Sequence, residues 1–275
     1  MADKEKFDRI AQSDFHNQRG IELADRGWLD EAAREFKKAI ELDPDSAHAH
    51  DNLATVYADK GQFRDALREY LLAIDLEPQS PTAHYNLASF LATHAHDMAV
   101  KEYKETIDLE FDYPDAHLNL GLTLADNGQY AEAIAAYQEA LKLDPKDPVA
   151  RHEMATVMMD MGRPADAIPL LRDVVKTEAD NLDAWVDLGN CYAMKGFYSE
   201  SERALQKALA LDVDDLMANY HMAALRAAQG DADRCLESLK KAAAVDKDKV
   251  RLWVEGDRFF DVVRRLPEFV ALFDG

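Results

Sequence analysis

The run Trp185-Val186-Asp187-Leu188-Gly189-Asn190-Cys191-Tyr192 constrains this chain more than any other stretch, because its spacing returns along most of the sequence. Its large, apolar or very small residues fall at positions 4, 7, 8 and 11 of a unit, a stripe that only a helix gathers onto one face. Gly196 ends that helix, and a second periodic run follows through Ser201, Leu205 and Ala208. Aligned on the turn glycine, the pattern gives units at 13–46, 47–80, 81–113, 114–147, 148–181, 182–215 and 216–249, six of 34 residues and one of 33. No such unit can bury its own apolar face, so stacking is required, and the sequence predicts one elongated array with no internal domain boundary.

Within the array each unit ends in punctuation such as Leu42-Asp43-Pro44 or Leu76-Glu77-Pro78, where the residue before proline leaves helical geometry. The third unit departs from this. Between Leu91 and Ala99 it is one residue short and has no glycine, so its turn must be built differently, either as a hinge or as a deletion that keeps the shape. It also closes on Phe111-Asp112-Tyr113-Pro114, which puts two aromatics in a connecting loop. In the fifth unit Pro164 suits a first helical turn, whereas Pro169 predicts a kink. Residues 1–12 are a charged lead-in with one short apolar pair, Phe7 and Ile10, that either forms a lead-in helix or frays. After residue 249 the pattern gives way to Trp253, Phe259, Phe260, Val263, Leu266, Phe269, Val270 and Phe273, an amphipathic segment over 250–275 expected to cap the open end, with docking of a partner as the alternative.

This pattern, Trp-x-x-Leu-Gly-x-x-Tyr followed by a small residue, resembles the tetratricopeptide repeat family throughout 13–249. The resemblance implies an all-α fold, a right-handed α-solenoid of seven helix-turn-helix units whose first helices line a concave groove. It also implies a protein that binds peptides, helices or loops of other proteins, since members of the family rarely do chemistry themselves.

On the helical wheel, positions 2, 5, 6, 9, 12 and 13 lie opposite the packing stripe and define the groove. Over all seven units these positions hold no Lys or Arg, where the 32 bases of the chain would place about five. Chaperone-binding members of the family hold a C-terminal carboxylate with Lys at positions 5 and 2, Arg at 6 and Asn at 9 and 6. Here position 5 reads Asn17, Asp51, Tyr85, Leu118, His152, Val186 and Tyr220, so that clamp is rejected. Asn52, Asn86 and Asn119 occupy position 6 in successive units and resemble the asparagine ladder of the O-linked GlcNAc transferase, which grips peptide backbone; asparagine at this position is equally a family habit. Beyond them the face turns apolar at Tyr85, Leu118, Leu122, Met159, Val186 and Tyr220, beside Asn190 and edged by Asp126, Glu153, Asp160 and Asp187. These residues are the expected groove for a basic or amphipathic peptide or helix.

The net charge of -21 argues against nucleic acid as a ligand. Absence of a signal-like segment or an apolar span predicts a cytoplasmic protein that does not insert in membranes. Cys191 and Cys235 read as packing residues, and His16, His50, His84 and His117, all at position 4, as interhelical packing rather than metal ligands. His94, His96 and Asp97 in the short turn form only a weak metal pattern. No phosphate loop or nucleophile elbow occurs, so neither cofactor nor catalysis is expected. The function read from sequence is a non-catalytic adaptor, with self-assembly through the ends or the C-terminal tail as the alternative.

Overall fold

A computed structural model describes residues 2–93 and 95–274, and every regular element among them is helical. The helices group into two compact units, 1–145 and 146–275, where the sequence marks no boundary. The first unit holds α1 (Ala2–Ala24), α2 (Leu29–Leu42), α3 (Ala47–Asp59), α4 (Phe63–Leu76), α5 (Pro81–Leu91), α6 (His96–Leu109), α7 (Pro114–Asp126) and α8 (Tyr130–Leu143). The second holds α9 (Pro148–Asp160), α10 (Pro164–Thr177), α11 (Leu182–Met194), α12 (Tyr198–Leu211), α13 (Leu216–Ala228), α14 (Ala232–Val245), α15 (Lys247–Gly256), a 3₁₀ turn at Arg258–Val262 and α16 (Pro267–Asp274). Within each unit, consecutive helices pack as pairs, and the first helices of neighbouring pairs also touch, α1 with α3, α3 with α5, and α11 with α13.

Two local devices repeat. Six pairs turn at a glycine with positive φ, such as Gly61 at 71° and Gly196 at 78°, a conformation that a side chain disfavours. At Gly61 the amides of Gly61 and Gln62 reach back to the carbonyls of Ala58 and Tyr57 and close the helix end. The last residue of a unit then caps the next helix: Ser46, Ser80, Asp147, Asn181 and Asp215 each accept a backbone N–H. The third pair lacks the first device and its successor lacks the second. Its turn closes through Ala95 N–H to Leu91 O at 2.8 Å, and among its described residues none has a left-handed backbone. Tyr113 stands at the cap position of α7 and makes no side-chain cap. Pro169 lies inside α10, which runs as one helix from Pro164 to Thr177.

The pairs lock through a small residue at position 8 facing a large one on the second helix. A Cβ added at Gly121 would lie 2.5 Å from the Tyr137 ring, and Tyr137 is fully buried. Interiors at crystal-like density cannot absorb that overlap. Gly121→Ala is therefore expected to cost about 1–3 kcal/mol in denaturant unfolding despite its better helix propensity, and a neutral or stabilising result would show that the Tyr137 ring can move aside.

In the second unit, Val250, Val254, Phe260, Val263, Phe269 and Phe273 join one buried cluster with Tyr220, Leu236 and Leu239 of α13 and α14. The Arg264 guanidinium ties this segment together by donating to Val254 O at 2.7 Å and Asp257 O at 2.7 Å. Both cysteines are buried, and burial pushes their thiols up to about 12, which keeps them protonated at neutral pH.

Candidate functional site

In the first unit, the position-6 asparagines are engaged between helices. Asn52 donates from α3 to Asn17 Oδ1 on α1 at 3.0 Å, Asn86 from α5 to Asp51 Oδ2 on α3 at 2.6 Å, and Asn119 from α7 to the Tyr85 hydroxyl on α5 at 2.8 Å. Each amide thus reaches position 5 of the preceding pair. The register of four first helices is fixed by side chains on one face. Asp51 is the costly member: it is 8% exposed, its Oδ1 has no hydrogen-bond partner, and burial lifts its carboxyl to about 6.

The uncapped Tyr113 has a place on the same face. Its ring stacks on Tyr85 at 5.0 Å, and Tyr85 in turn meets the edge of the Tyr103 ring at 5.9 Å. Omission of a cap costs about 1 kcal/mol, so the loop trades a helix end for an aromatic platform. Burial raises the Tyr85 and Tyr113 hydroxyls, with the Asp115 carboxylate adding to both. Leu118 and Leu122 of α7 are half-buried, and Asp115 and Asp126 are exposed.

Position 4 carries a second repeating bond. His50, His84 and His117 place Nε2 at 3.1, 3.2 and 3.0 Å from the carbonyls of Pro44, Pro78 and Phe111, six residues earlier. Trp185 and Asn219 donate to Ala179 O and Val213 O in the same way. A carbonyl only accepts, so the imidazole Nε2 is protonated. The Nδ1 atoms of His16, His50 and His84 lie 2.6–2.7 Å from Glu35, Glu69 and Glu102 on the second helices, and position 4 serves pairing within and between units.

In the second unit the expected face divides. His152 Nε2 lies 2.9 Å from Asp187 Oδ2 and joins α9 to α11; the Asp187 carboxylate raises the His152 imidazole above its ordinary value. Glu153, Met159 and Asn190 are half-buried, and Asp160 and Met194 are exposed. Val186 and Tyr220 correct the sequence expectation of an open apolar floor. Val186 is 4% exposed and packs with Ala208 and Ala218. Tyr220 is 8% exposed beneath the Trp253 and Phe260 rings and donates to Asp257 Oδ2 at 3.0 Å. At position 5 these two residues are covered by elements that follow in the chain, which a wheel drawn for an isolated helix cannot show.

Family models described as tetratricopeptide repeat match residues 114–147 and 158–227, and one described as TPR repeat matches 20–61 and 54–93. The chain belongs to the tetratricopeptide repeat family. No curated protein matches it in sequence. Among solved structures, the tetratricopeptide repeat protein YrrB, described as having an unusual peptide-binding site, is 24% identical with a TM-score of 0.60 over 68% of this chain and 96% of its own. A tetratricopeptide repeat protein from Parabacteroides merdae is 17% identical with a TM-score of 0.64 over 89% and 98%, and PilF of Pseudomonas aeruginosa is 18% identical with 0.59 over 90% and 99%. At these identities the likeness is one of fold.

Repeat periodicity located the asparagines of this tetratricopeptide chain but not their bonds to position 5, and it flagged Tyr113 as irregular without its stacking partner. Of the three possible ligands in the short turn, His94 lies outside the described residues. Among the described residues no group of three His, Cys, Asp or Glu could hold a metal, and no helix is long and apolar enough to cross a membrane.

Proposed function

We infer that this tetratricopeptide protein is a non-catalytic, cytoplasmic adaptor that receives a basic or amphipathic segment of a partner protein on the first-helix face. The observation that carries this reading is the interlocked row Asn17, Asn52, Asp51, Asn86, Tyr85 and Asn119. It presents a preorganised polar surface with no base among its groove positions and with Asp59, Asp115 and Asp126 exposed around it. A rigid, prepaired surface lowers the ordering cost of binding, and its charge favours a cationic ligand. The peptide-binding site described for YrrB supports the class of ligand. Asn190, Glu153, Met159, Asp160 and Asp187 offer a similar acidic face in the second unit.

A lysine-rich amphipathic peptide and a twin with every Lys changed to Glu provide the test by calorimetry. The basic peptide is expected to bind, more weakly as salt rises, and to lose about tenfold in affinity when Asp59, Asp115 and Asp126 are changed to Lys. Equal binding of the acidic twin, or an unchanged triple variant, would sink the reading. Self-assembly through the tail is less favoured, because Phe260, Phe269 and Phe273 are buried within their own unit.

A further inference from the structure

A second hollow lies in the 146–275 unit, away from every groove position. It has a volume of about 620 Å³ between α10 and α12 over α11, and Val175, Trp185, Leu188, Tyr192 and Ala204 form its apolar lining. Ala210 of α12 helps to keep it open: it stands where Glu41, Asp75, Asp108, Lys142 and Lys176 stand in the five preceding units. Arg172, Arg203 and Lys207 line its rim with one acid, Glu200.

These bases are unusual for the chain. Elsewhere in the same unit Arg163, Arg226, Arg234 and Lys241 are paired with Asp166, Glu202, Asp231 and Glu237. Among the described residues no ion pair or hydrogen bond engages the side chains of Arg172, Arg203 and Lys207. A related hollow in the first unit, between α2, α3 and α4, shares only part of this lining by position in the repeat and has a different character. There Lys60 and Arg34 pair with Asp30 and Glu31, and Lys37 sits 5.5 Å over the Tyr57 ring. Thus a protein of net charge -21 keeps three unpaired cations around an apolar space of the size that holds a small organic ligand.

We propose that this hollow binds an amphiphilic carboxylate, its apolar body on Trp185, Leu188 and Tyr192 and its anionic end on Arg172, Arg203 and Lys207. Guanidinium groups suit a planar carboxylate, and the aromatic floor supplies the affinity that exposed cations alone lack. The same chemistry comes from two sources, a free aliphatic acid or a Glu beside an apolar residue in a peptide, and the test separates them.

Calorimetric titrations with decanoate and with the blocked peptide acetyl-Ser-Glu-Leu-Phe-Glu-Ser-amide form the two arms, against decanol and a Gln-for-Glu twin. Saturable binding of decanoate alone assigns the site to a small acid; binding of the Glu peptide alone, or of both, assigns it to an acidic apolar segment. In each case Arg172→Gln, Arg203→Gln and Lys207→Gln combined, and separately Ala210→Glu, are expected to weaken binding about tenfold or more while leaving the basic-peptide titration of the first-helix face unchanged. These are surface substitutions, and thermal unfolding verifies that both variants are folded. No saturable binding in either arm, equal binding of decanol and the Gln twin, or variants that bind as the wild type does would each overturn the proposal.

Discussion

Asp51→Asn is expected to stabilise the protein by about 3 kcal/mol near neutral pH and to leave stability unchanged in strong acid. The sign follows from burial. Asp51 is 8% exposed, and its carboxyl moves from 3.8 to about 6 in the folded chain. A raised acid binds its proton more tightly folded than unfolded. Folding stability therefore falls as pH rises between those two values and stays lower above them, where the folded chain must hold a buried, half-partnered carboxylate. Below about pH 4 the wild-type group is a neutral acid and resembles the amide, so the difference between the proteins vanishes. The asparagine keeps an oxygen for the Asn86 amide, and the link between α3 and α5 survives. Urea unfolding of both proteins across this range provides the measurement. A difference that does not grow with pH would show that Asp51 is solvated in the folded protein and that its unpartnered oxygen has no energetic meaning.

The same residue shows where sequence reading stops. A 34-residue period fixes helix pairs because the apolar positions, the glycine turns and the capping residues all recur with it, and each has a local cause. Asp51 was legible as a position-5 residue on the first-helix face. Its burial was not, since that depends on Asn86 arriving 35 residues later at 2.6 Å. Tyr113 marks the same limit from the other side. Its lack of a capping side chain could be read from the sequence, and Tyr85 as its stacking partner could not, because the two rings meet across 28 residues of chain. The apolar hollow over α11 escaped for a different reason: Ala210 looks innocuous until the charged residues at its equivalents are set beside it. Interactions between repeats depend on pairs of positions, whereas a period reports single ones.

The fate of the C-terminal segment rests on Phe260. Replacement by Ala is expected to cost about 3–5 kcal/mol, the range for deleting a fully buried aromatic ring. The side chain is 0% exposed and its ring lies 5.5 Å from Tyr220, within the cluster that also holds Val250, Val254 and Leu239. Phe259 is the control one residue away: it is 48% exposed, and its alanine variant should fall within about 0.5 kcal/mol of the wild type. Hydrogen exchange locates the damage, with faster opening expected in α13, α14 and α15 and unchanged protection in α1–α4. If Phe260→Ala proves as benign as Phe259→Ala, residues 250–273 contribute little to their own unit in solution. Their apolar stripe would then be available to a partner, and the docking role that the sequence left open would replace the cap. A loss of several kcal/mol confined to that end instead makes the segment part of the fold, and explains why Tyr220 has the aromatic surroundings of a core residue on a helix face that the repeat pattern assigns to ligand.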